Sequence, residues 1–298
     1  MTKAPIAFFA YNRPNHIEKA LESLSQCEGA VDSELFIFCD GPKKSLDKEA
    51  VEEVRSIAKR KQWCGKVHVI ERDENMGLAN SVISGVTEVV NRYGRVIVVE
   101  DDLILSPQFL NYMNDALDFY RDNAKVMHVS GYMFPVKDKL PPTFFYRNTS
   151  CWGWATWKRS WDMFDSDSSH LLKCIKERNL CREFDLEGTA SFVEMLQSHT
   201  KGKLDSWAVR WYGSVFLRGG LCLHPGLSLV KNTGHDGSGI HCVFTDEFNV
   251  ELSNKRIRQF VDEIEEDKRV IELMVGFYKS LNKPLFLRVV NKLRHFLT

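Results

Sequence analysis

No stretch of this chain approaches the about 20 consecutive apolar residues that a helix needs to cross a bilayer. The only apolar run near the N-terminus, residues 6–11, is too short for the core of a signal peptide. The eight cysteines include no C-x-x-C pair, and a chain of 298 residues does not depend on disulfide bonds. We therefore expect a cytoplasmic protein with reduced thiols and without a transmembrane anchor.

The chain also lacks an excess of either charge. Its 40 Lys and Arg residues balance its 40 Asp and Glu residues, which argues against a nucleic-acid partner, because nucleic acids are usually bound by basic surfaces. There is no internal repeat, no low-complexity tract and no linker rich in Pro, Gly and Ser. With 44% hydrophobic residues the composition is that of a globular protein, and we predict one domain over residues 1–272.

Short apolar strands alternate with helical stretches in the first hundred residues. The predicted strands are residues 5–10, 34–39, 66–70 and 95–99, and the predicted helices are residues 15–27, 46–62 and 78–93. Further helices are expected to begin at Ser106 and Ser206. This alternation predicts an α/β, Rossmann-like fold with a mostly parallel central sheet, right-handed crossovers and flanking helices.

Polar groups follow all four predicted strands. The segments are Tyr11-Asn12-Arg13, Asp40-Gly41, residues 72–77 and Glu100-Asp101-Asp102. Ligands of such sheets bind beyond the carboxyl ends of the strands. We therefore predict a ligand site along this edge, in a nucleotide-binding half that covers residues 1–103.

The acids Glu100, Asp101 and Asp102 directly follow an apolar strand. Three carboxylates next to a buried strand are costly unless a cation or hydrogen-bond donors compensate their charge. A divalent ion that also binds phosphate oxygens and water would do so. The alternative is that the acids stabilise the positive end of the helix expected at Ser106.

The other strand ends have a functional and a structural interpretation each. Asp40 suits a hydrogen bond to a base or ribose, or else forms an Asx turn before Gly-Pro. Backbone N–H groups between Asn75 and Gly77 suit a phosphate or a sugar hydroxyl, or else belong to a capped turn. Arg13 and Arg72 suit a diphosphate, or else are surface arginines.

The second half of the chain has three candidate features. The Asp205 carboxylate, beside tryptophans, suits a general base, and its alternative role is the N-cap of the next helix. His235 suits a metal ligand in a glycine-rich loop, with His241 as the second candidate. We expect one of Trp152 and Trp154 at the wall of a sugar pocket and the other tryptophans of that cluster in the core.

Together these segments resemble nucleotide-sugar glycosyltransferases of the GT-A fold. E-D-D-L at residues 100–103, followed by S-P-Q-F-L at 106–110, is similar to the acidic motif of N-acetylglucosaminyltransferase I and its bacterial family-2-like relatives. D-S-W at 205–207 resembles the family's D-D-W catalytic segment, and Gly234-His235 resembles its metal-binding histidine. Ser206 departs from the animal enzyme, which has a second acid there. The resemblance covers most of residues 4–245.

The resemblance implies a GT-A fold with an elaborated acceptor half at residues 104–272. It also implies an inverting transfer from a UDP-sugar, with UDP-GlcNAc as one candidate, to a glycan or lipid-linked oligosaccharide in surface polysaccharide synthesis. Mn²⁺ or Mg²⁺ would be held by Asp102 and His235, and Asp205 would be the catalytic base. The implied donor-binding residues are Ala10, Tyr11, Asn12, Arg13, Asp40, Arg72, Asn75, Gly77, Glu100, Asp101, Trp152 and Trp154.

Two other functions fit parts of the pattern. A nucleotidyltransferase acting on a sugar phosphate also places acids and a metal beside a nucleotide, but it needs a Gly-rich first loop, and residues 11–14 are not Gly-rich. A catalytically inactive carbohydrate-binding protein is the non-enzyme alternative. The intact acids at residues 100–102 and at Asp205 argue against it.

Residues 273–298 contain five Lys or Arg residues and no acid, with apolar residues at helical spacing. This pattern predicts a basic amphipathic helix on an anionic membrane surface, which would make the protein peripheral to the inner face of the cell membrane. The alternative is a terminal helix that packs on the domain.

Overall fold

A computed structural model describes residues 2–236 and 245–281 of the chain. Within these residues the strands are β1 (Ile6–Ala10), β2 (Glu34–Cys39), β3 (Lys66–Glu71), β4 (Arg95–Glu100), β5 (Leu103–Leu105), β6 (Val126–Ser130), β7 (Thr143–Tyr146), β8 (Trp154–Trp157), β9 (Leu221–Pro225) and β10 (Val230–Asn232). Eight of them form one sheet in the order β3-β2-β1-β4-β8-β6-β9-β7. The other two, β5 and β10, form a separate small sheet.

Helices occupy most of the connections between these strands. Over the same described residues they are α1 (Pro14–Ser25), α2 (Lys48–Lys59), α3 (Leu78–Tyr93), α4 (Phe109–Phe119), α5 (Lys158–Trp161), α6 (Ser168–Glu177), α7 (Cys181–Phe184), α8 (Phe192–Thr200), α9 (Trp207–Leu217) and α10 (Lys268–Leu281). Proline at its first position favours the start of α1. Gly94, with a left-handed φ of 77°, ends α3.

The predicted parallel half of the sheet is confirmed. β3, β2, β1 and β4 lie side by side and run in one direction. The second predicted strand and the third predicted helix have the predicted bounds, and the other predicted elements of the first hundred residues differ by three residues or fewer at either end. β8 and β7 run antiparallel to their neighbours. The whole is the α/β arrangement of the GT-A fold.

Hydrophobic residues cover both faces of the sheet, because side chains alternate along each strand. On β1, Ile6 and Phe8 face one core together with α1, α2 and α4. Ala7 and Phe9 face the other core together with α3 and α9. Strands that are buried on both faces need apolar residues at consecutive positions, which is why the first strand is an uninterrupted apolar run.

The second half adds a helical unit made of α6, α7, α8 and the outer face of α9. Its small core consists of Leu171, Ile175, Phe184, Leu196, Val209 and Tyr212. The neighbouring residue Trp211 belongs instead to the core beneath the sheet. α9 therefore joins the helical unit to the sheet.

The strand β5 was not predicted. We expected the helix after the acids to begin at Ser106, whereas α4 begins at Phe109. Residues 103–105 pair in antiparallel fashion with β10, more than a hundred residues later in the chain. A run of three residues is too short to show a period, so only its distant partner makes it a strand.

The C-terminal prediction lies mostly outside the described residues, since 282–298 are not among them. The described part of the segment belongs to α10, which buries Val270 and Met274 in the main core. Phe277 and Tyr278 also pack against that core. None of the helices in the described ranges is long and apolar enough to cross a membrane.

Two histidines are buried within the sheet. His128 of β6 contacts the Ser150 carbonyl through Nε2 (3.0 Å) and accepts a hydrogen bond from the Trp211 indole at Nδ1 (3.1 Å). His224 of β9 contacts the Asn148 carbonyl through Nε2 (2.9 Å). Burial lowers the pKa of His128 to about 3 and that of His224 to about 4. Both rings are therefore neutral in the folded protein at physiological pH.

We predict that stability falls as the pH is lowered from 6.5 towards 4. The unfolded chain binds protons at these histidines near their ordinary pKa, whereas the native chain does not, so each contributes a loss of up to about 1.4 kcal/mol per pH unit. Denaturant unfolding across this range will measure the slope. His224→Gln, which keeps a donor for the Asn148 carbonyl, should make it shallower than in the wild type, and an unchanged slope would contradict the assignment.

Candidate active site

The acidic segment lies at the carboxyl edge of the parallel sheet. β4 ends at Glu100, and Asp101 and Asp102 form the turn that leads into β5. Asp101 is 4% exposed and Asp102 is 8% exposed. The interpretation of these acids as a helix cap is wrong, because β5 separates them from α4 and the first turn of α4 contains no acid.

Arg13 compensates part of this charge. It follows β1, which lies next to β4, so the two strand ends bring the guanidinium to the acids. Its Nη2 atom donates hydrogen bonds to Asp101 and to Asp102 Oδ2, the latter over 3.1 Å. Burial opposes the charge on Arg13, but the two aspartates hold its pKa above the ordinary value.

One arginine does not neutralise three carboxyl groups. Burial raises the pKa of Glu100 to about 8, and repulsion from Asp102 and Asp101 adds to this effect. Burial also raises the pKa of Asp101 to about 6, although Arg13 opposes the rise. The segment therefore favours additional positive charge.

The β5–β10 pair brings the glycine-rich segment to the acids. Because Asn232 pairs with Leu103, the residues that follow β10 pass alongside Asp102. The Asp102 carbonyl accepts hydrogen bonds from Thr233 N (2.8 Å) and Thr233 Oγ1 (2.9 Å). A side chain at Gly234 would overlap Asp102 Oδ2, so any larger residue there would displace the Asp102 carboxylate.

His235 follows Gly234 and has an unusual environment. Its ring lies edge-on to Trp152 and stacks on Phe248, each at a centroid distance of 5.3 Å. Both ring nitrogens are buried, and neither has a hydrogen-bond partner among the residues that the structure describes. Buried polar atoms without a partner are costly, and a metal ion would bind one of these nitrogens. The donor set of a carboxylate and an imidazole therefore fits a divalent ion.

The remaining ligands of such an ion would come from outside the protein. Within residues 2–236 and 245–281 there is no group of three or more His, Cys, Asp or Glu side chains with metal-binding geometry. Phosphate oxygens and water are the usual additional ligands where a protein offers only one or two. His16 of α1 contacts Asp236 (3.2 Å) and joins the same region to the start of α1. The second candidate, His241, lies outside the described residues.

The family profile described as glycosyl transferase family 2 matches residues 6–164, more than half of the chain. The chain belongs to glycosyl transferase family 2. No curated protein matches it. Among solved structures, TarS of S. aureus is similar, with 17% identical residues and a TM-score of 0.32. That match covers 47% of this chain and 23% of TarS, so the chain spans less than a quarter of that protein.

The family match includes the turn at Asp40. In the structure the Asp40 carboxylate binds backbone N–H groups of the protein, as the alternative of a turn predicted. Asp40 Oδ1 accepts hydrogen bonds from the N–H groups of Gly41 (3.0 Å) and Met76 (2.9 Å), and Oδ2 accepts one from Gly77 N–H (3.1 Å). These N–H groups of residues 76 and 77 therefore face Asp40 rather than a phosphate. Asn75 Nδ2 likewise donates to the Gly41 carbonyl (2.9 Å), so the predicted phosphate contact of this turn is replaced by a capped turn.

The other residues predicted to bind the donor at the carboxyl edge of the sheet differ in their contacts and exposure. The Tyr11 hydroxyl donates to Asp47 (2.8 Å), while Ala10 is buried and Asn12 is partly exposed. The Arg72 guanidinium lies over the Phe38 ring and donates to Ser84 of α3 (3.1 Å). Its Nε atom is buried and has no hydrogen-bond partner within residues 2–236 and 245–281.

The two candidate tryptophans, Trp152 and Trp154, lie in different environments. Trp152 is partly exposed and contacts His235, the residue after the Gly234 that packs on Asp102. Trp154 is fully buried between His128 and Trp207, with ring centroids 5.2 Å from each. The prediction that Trp154 contacts a sugar is therefore wrong, because Trp154 is a core residue. We expect only one of the two tryptophans at the wall of a pocket, and Trp152 is the one that is partly exposed.

Asp205 is not in contact with the acidic segment. It precedes α9 but does not cap it, because the Ser206 hydroxyl accepts the hydrogen bond from Val209 N–H (3.4 Å). The Asp205 side chain is 60% exposed and contacts Arg210 Nη2 (3.2 Å) and His199 Nε2 (3.5 Å). In the described part of the chain, no hydrogen bond or ion pair joins it to residues 100–102.

Several residues at these positions were missed by sequence reasoning. Thr233, Phe248, His199 and Arg210 contact Asp102, His235 or Asp205 in the structure. His199 and Arg210 lie six and five residues from Asp205, and neither spacing is that of helical neighbours. Thr233 approaches Asp102, and Phe248 approaches His235, through tertiary packing that a single sequence does not reveal.

We predict that Gly234→Ala weakens metal-dependent nucleotide binding by roughly tenfold or more, because the added methyl group displaces the Asp102 carboxylate. Calorimetry with Mn²⁺ and UDP will measure the change. The matched control is Gly276→Ala in α10, where an added Cβ has no neighbour within 4 Å. Equal binding by the two variants would contradict the steric role of Gly234.

Proposed function

We propose that the chain is a glycosyltransferase that moves a sugar from a UDP-sugar to a hydroxyl group of a glycan or lipid-linked acceptor. The observation that carries this proposal is the meeting of Asp102 with the Gly234-His235 segment at the carboxyl edge of a parallel sheet. Membership of glycosyl transferase family 2 supports the reaction class. It also favours sugar transfer over nucleotidyl transfer.

Asp102 and His235 would hold Mn²⁺ or Mg²⁺. Such an ion supplies electrostatic stabilisation of the diphosphate leaving group. Asp101, which Arg13 contacts, would hold the ribose or the sugar, and Glu100 would hold the donor sugar or the loop. The orphaned nitrogens of His235 and the incomplete compensation of the acids support these roles.

The nucleotide would bind over the ends of β1 and β2. Asp40 Oδ2 accepts one protein hydrogen bond, and a carboxylate oxygen has two acceptor sites. One site is therefore left for an N–H group, and uracil has such a donor. Tyr11 and Asn12 border this position, and the unpartnered Nε of Arg72 suits a phosphate oxygen.

Asp205 is proposed as the general base that takes the proton from the acceptor hydroxyl. Its exposure and its freedom from capping support this role, and Trp152 offers an aromatic surface for a sugar. His199 and Arg210 both contact Asp205 Oδ1, and no contact to Oδ2 is seen among the described residues. Attack on the face opposite the leaving group then inverts the anomeric carbon, and no covalent intermediate is required.

The acceptor is proposed to belong to a surface polysaccharide or a lipid-linked oligosaccharide. The basic pattern of residues 273–298 supports a peripheral position on the inner face of the cell membrane, close to a lipid-linked acceptor. This part of the proposal rests on the sequence alone, because α10 is described only as far as Leu281.

The donor proposal predicts that UDP binds more tightly than GDP, dTDP or CMP. It also predicts that this tight binding of UDP requires Mn²⁺ or Mg²⁺. Asp102→Ala should abolish metal-dependent UDP binding, because it removes a carboxylate that would hold the ion. Calorimetric titration will measure both effects, with Asp122→Ala, a change at an 87% exposed acid, as the control. Absence of nucleotide binding in the wild type would favour the catalytically inactive carbohydrate-binding protein.

The catalytic proposal predicts that Asp205→Asn retains UDP-sugar binding but transfers sugar about 10²–10⁴-fold more slowly, the usual range for a lost general base. UDP release with a panel of glycan acceptors will measure the rate, and Asp122→Asn provides the same chemical change away from the site. A normal rate in Asp205→Asn would exclude Asp205 as the base.

A further inference from the structure

A single guanidinium nitrogen of Arg13 bridges the two aspartates of the acidic segment. Nη2 contacts Asp101 Oδ1 and Asp102 Oδ2 simultaneously. A divalent ion held by Asp102 would likewise bring positive charge to this pair of carboxylates. Arg13 therefore provides, from within the chain, the type of charge that the proposed metal ion would bring.

The same oxygen of Asp102 faces two different groups. Oδ2 is the atom that Arg13 contacts at 3.1 Å, and it is also the atom against which Gly234 is packed. His235, with its unpartnered ring nitrogens, is the next residue. An ion held by Asp102 Oδ2 and His235 would therefore meet the Arg13 guanidinium.

Arg13 is partly exposed and has a second partner, Asp101, that would hold it nearby. Its side chain is 20% exposed, and it lies in the turn between β1 and α1, where it makes no capping hydrogen bond. Asp101 would keep one contact with the guanidinium after Asp102 is released. A diphosphate that arrives with the ion offers the freed donors a bidentate acceptor.

We propose that Arg13 competes with the divalent ion for Asp102. In the metal-free protein the guanidinium neutralises Asp102. When the ion and the nucleotide bind together, Arg13 exchanges Asp102 for the diphosphate. The competition makes metal binding weak until the nucleotide gives Arg13 another partner. This inference rests on the proposed metal-dependent binding of a nucleotide-sugar.

The test is calorimetric titration of Mn²⁺ without nucleotide. Arg13→Met and Arg13→Gln should each bind Mn²⁺ at least about tenfold more tightly than the wild type, because a nearby positive charge is removed from a partly buried carboxylate pair. Arg13→Gln keeps a hydrogen-bond donor for Asp101 and guards against loss of the fold, which circular dichroism will monitor. Arg13→Lys, which keeps the charge, should retain the wild-type affinity within about threefold.

Two controls separate direct competition from a general electrostatic effect. Lys43→Met removes an exposed charge from the loop whose backbone contacts the Tyr11 hydroxyl, and it should change Mn²⁺ affinity by less than about threefold. Methylguanidinium carries the charged group that Arg13→Gln lacks. It should therefore weaken Mn²⁺ binding to this variant competitively, whereas NaCl of equal ionic strength should not.

The outcomes distinguish this inference from the proposed function. Equal or weaker Mn²⁺ binding by both neutral variants, with UDP binding still metal-dependent, would overturn the competition alone. Absence of Mn²⁺ binding in the wild type and in the variants, with and without UDP, would overturn the proposed metal site and the competition with it. Tighter binding in the neutral variants, reversed by methylguanidinium, would support the competition.

Discussion

The charge of three carboxyl groups at the end of a buried strand is the constraint on which this site depends. Asp101 and Asp102 are buried, and Arg13 supplies positive charge beside them through two adjacent strand ends. Burial raises the pKa of Glu100 to about 8, so a proton offsets part of the remaining charge. The electrostatic imbalance that is left would favour a further cation at the same edge.

The small β5–β10 sheet brings a second segment of the chain next to these acids. It fixes the register between the acids and a segment that lies more than a hundred residues later, so that Thr233 and Gly234 meet Asp102. Backbone pairing determines this approach, and the side chains then complete it. The two segments come so close at Gly234 that a larger residue there would overlap the Asp102 side chain.

Sequence reasoning succeeded where local periodicity decides structure, as in α3 and the parallel strands around β1. It also located the acids, because a strand that ends in three carboxylates is unusual. It could not decide whether Asp40 faces a ligand or the N–H groups of residues 76 and 77, since that depends on how two loops pack. It could not separate Trp152 from Trp154, because only the sheet reveals which of them lies in the core.

The helix α9 belongs to two cores on its opposite sides. Trp211 packs beneath the sheet, and the next residue, Tyr212, packs among α6, α7 and α8. The helical unit therefore has an interior of its own. Because α9 forms a wall of both cores, a substitution that shifts this helix would alter the packing on its two sides together.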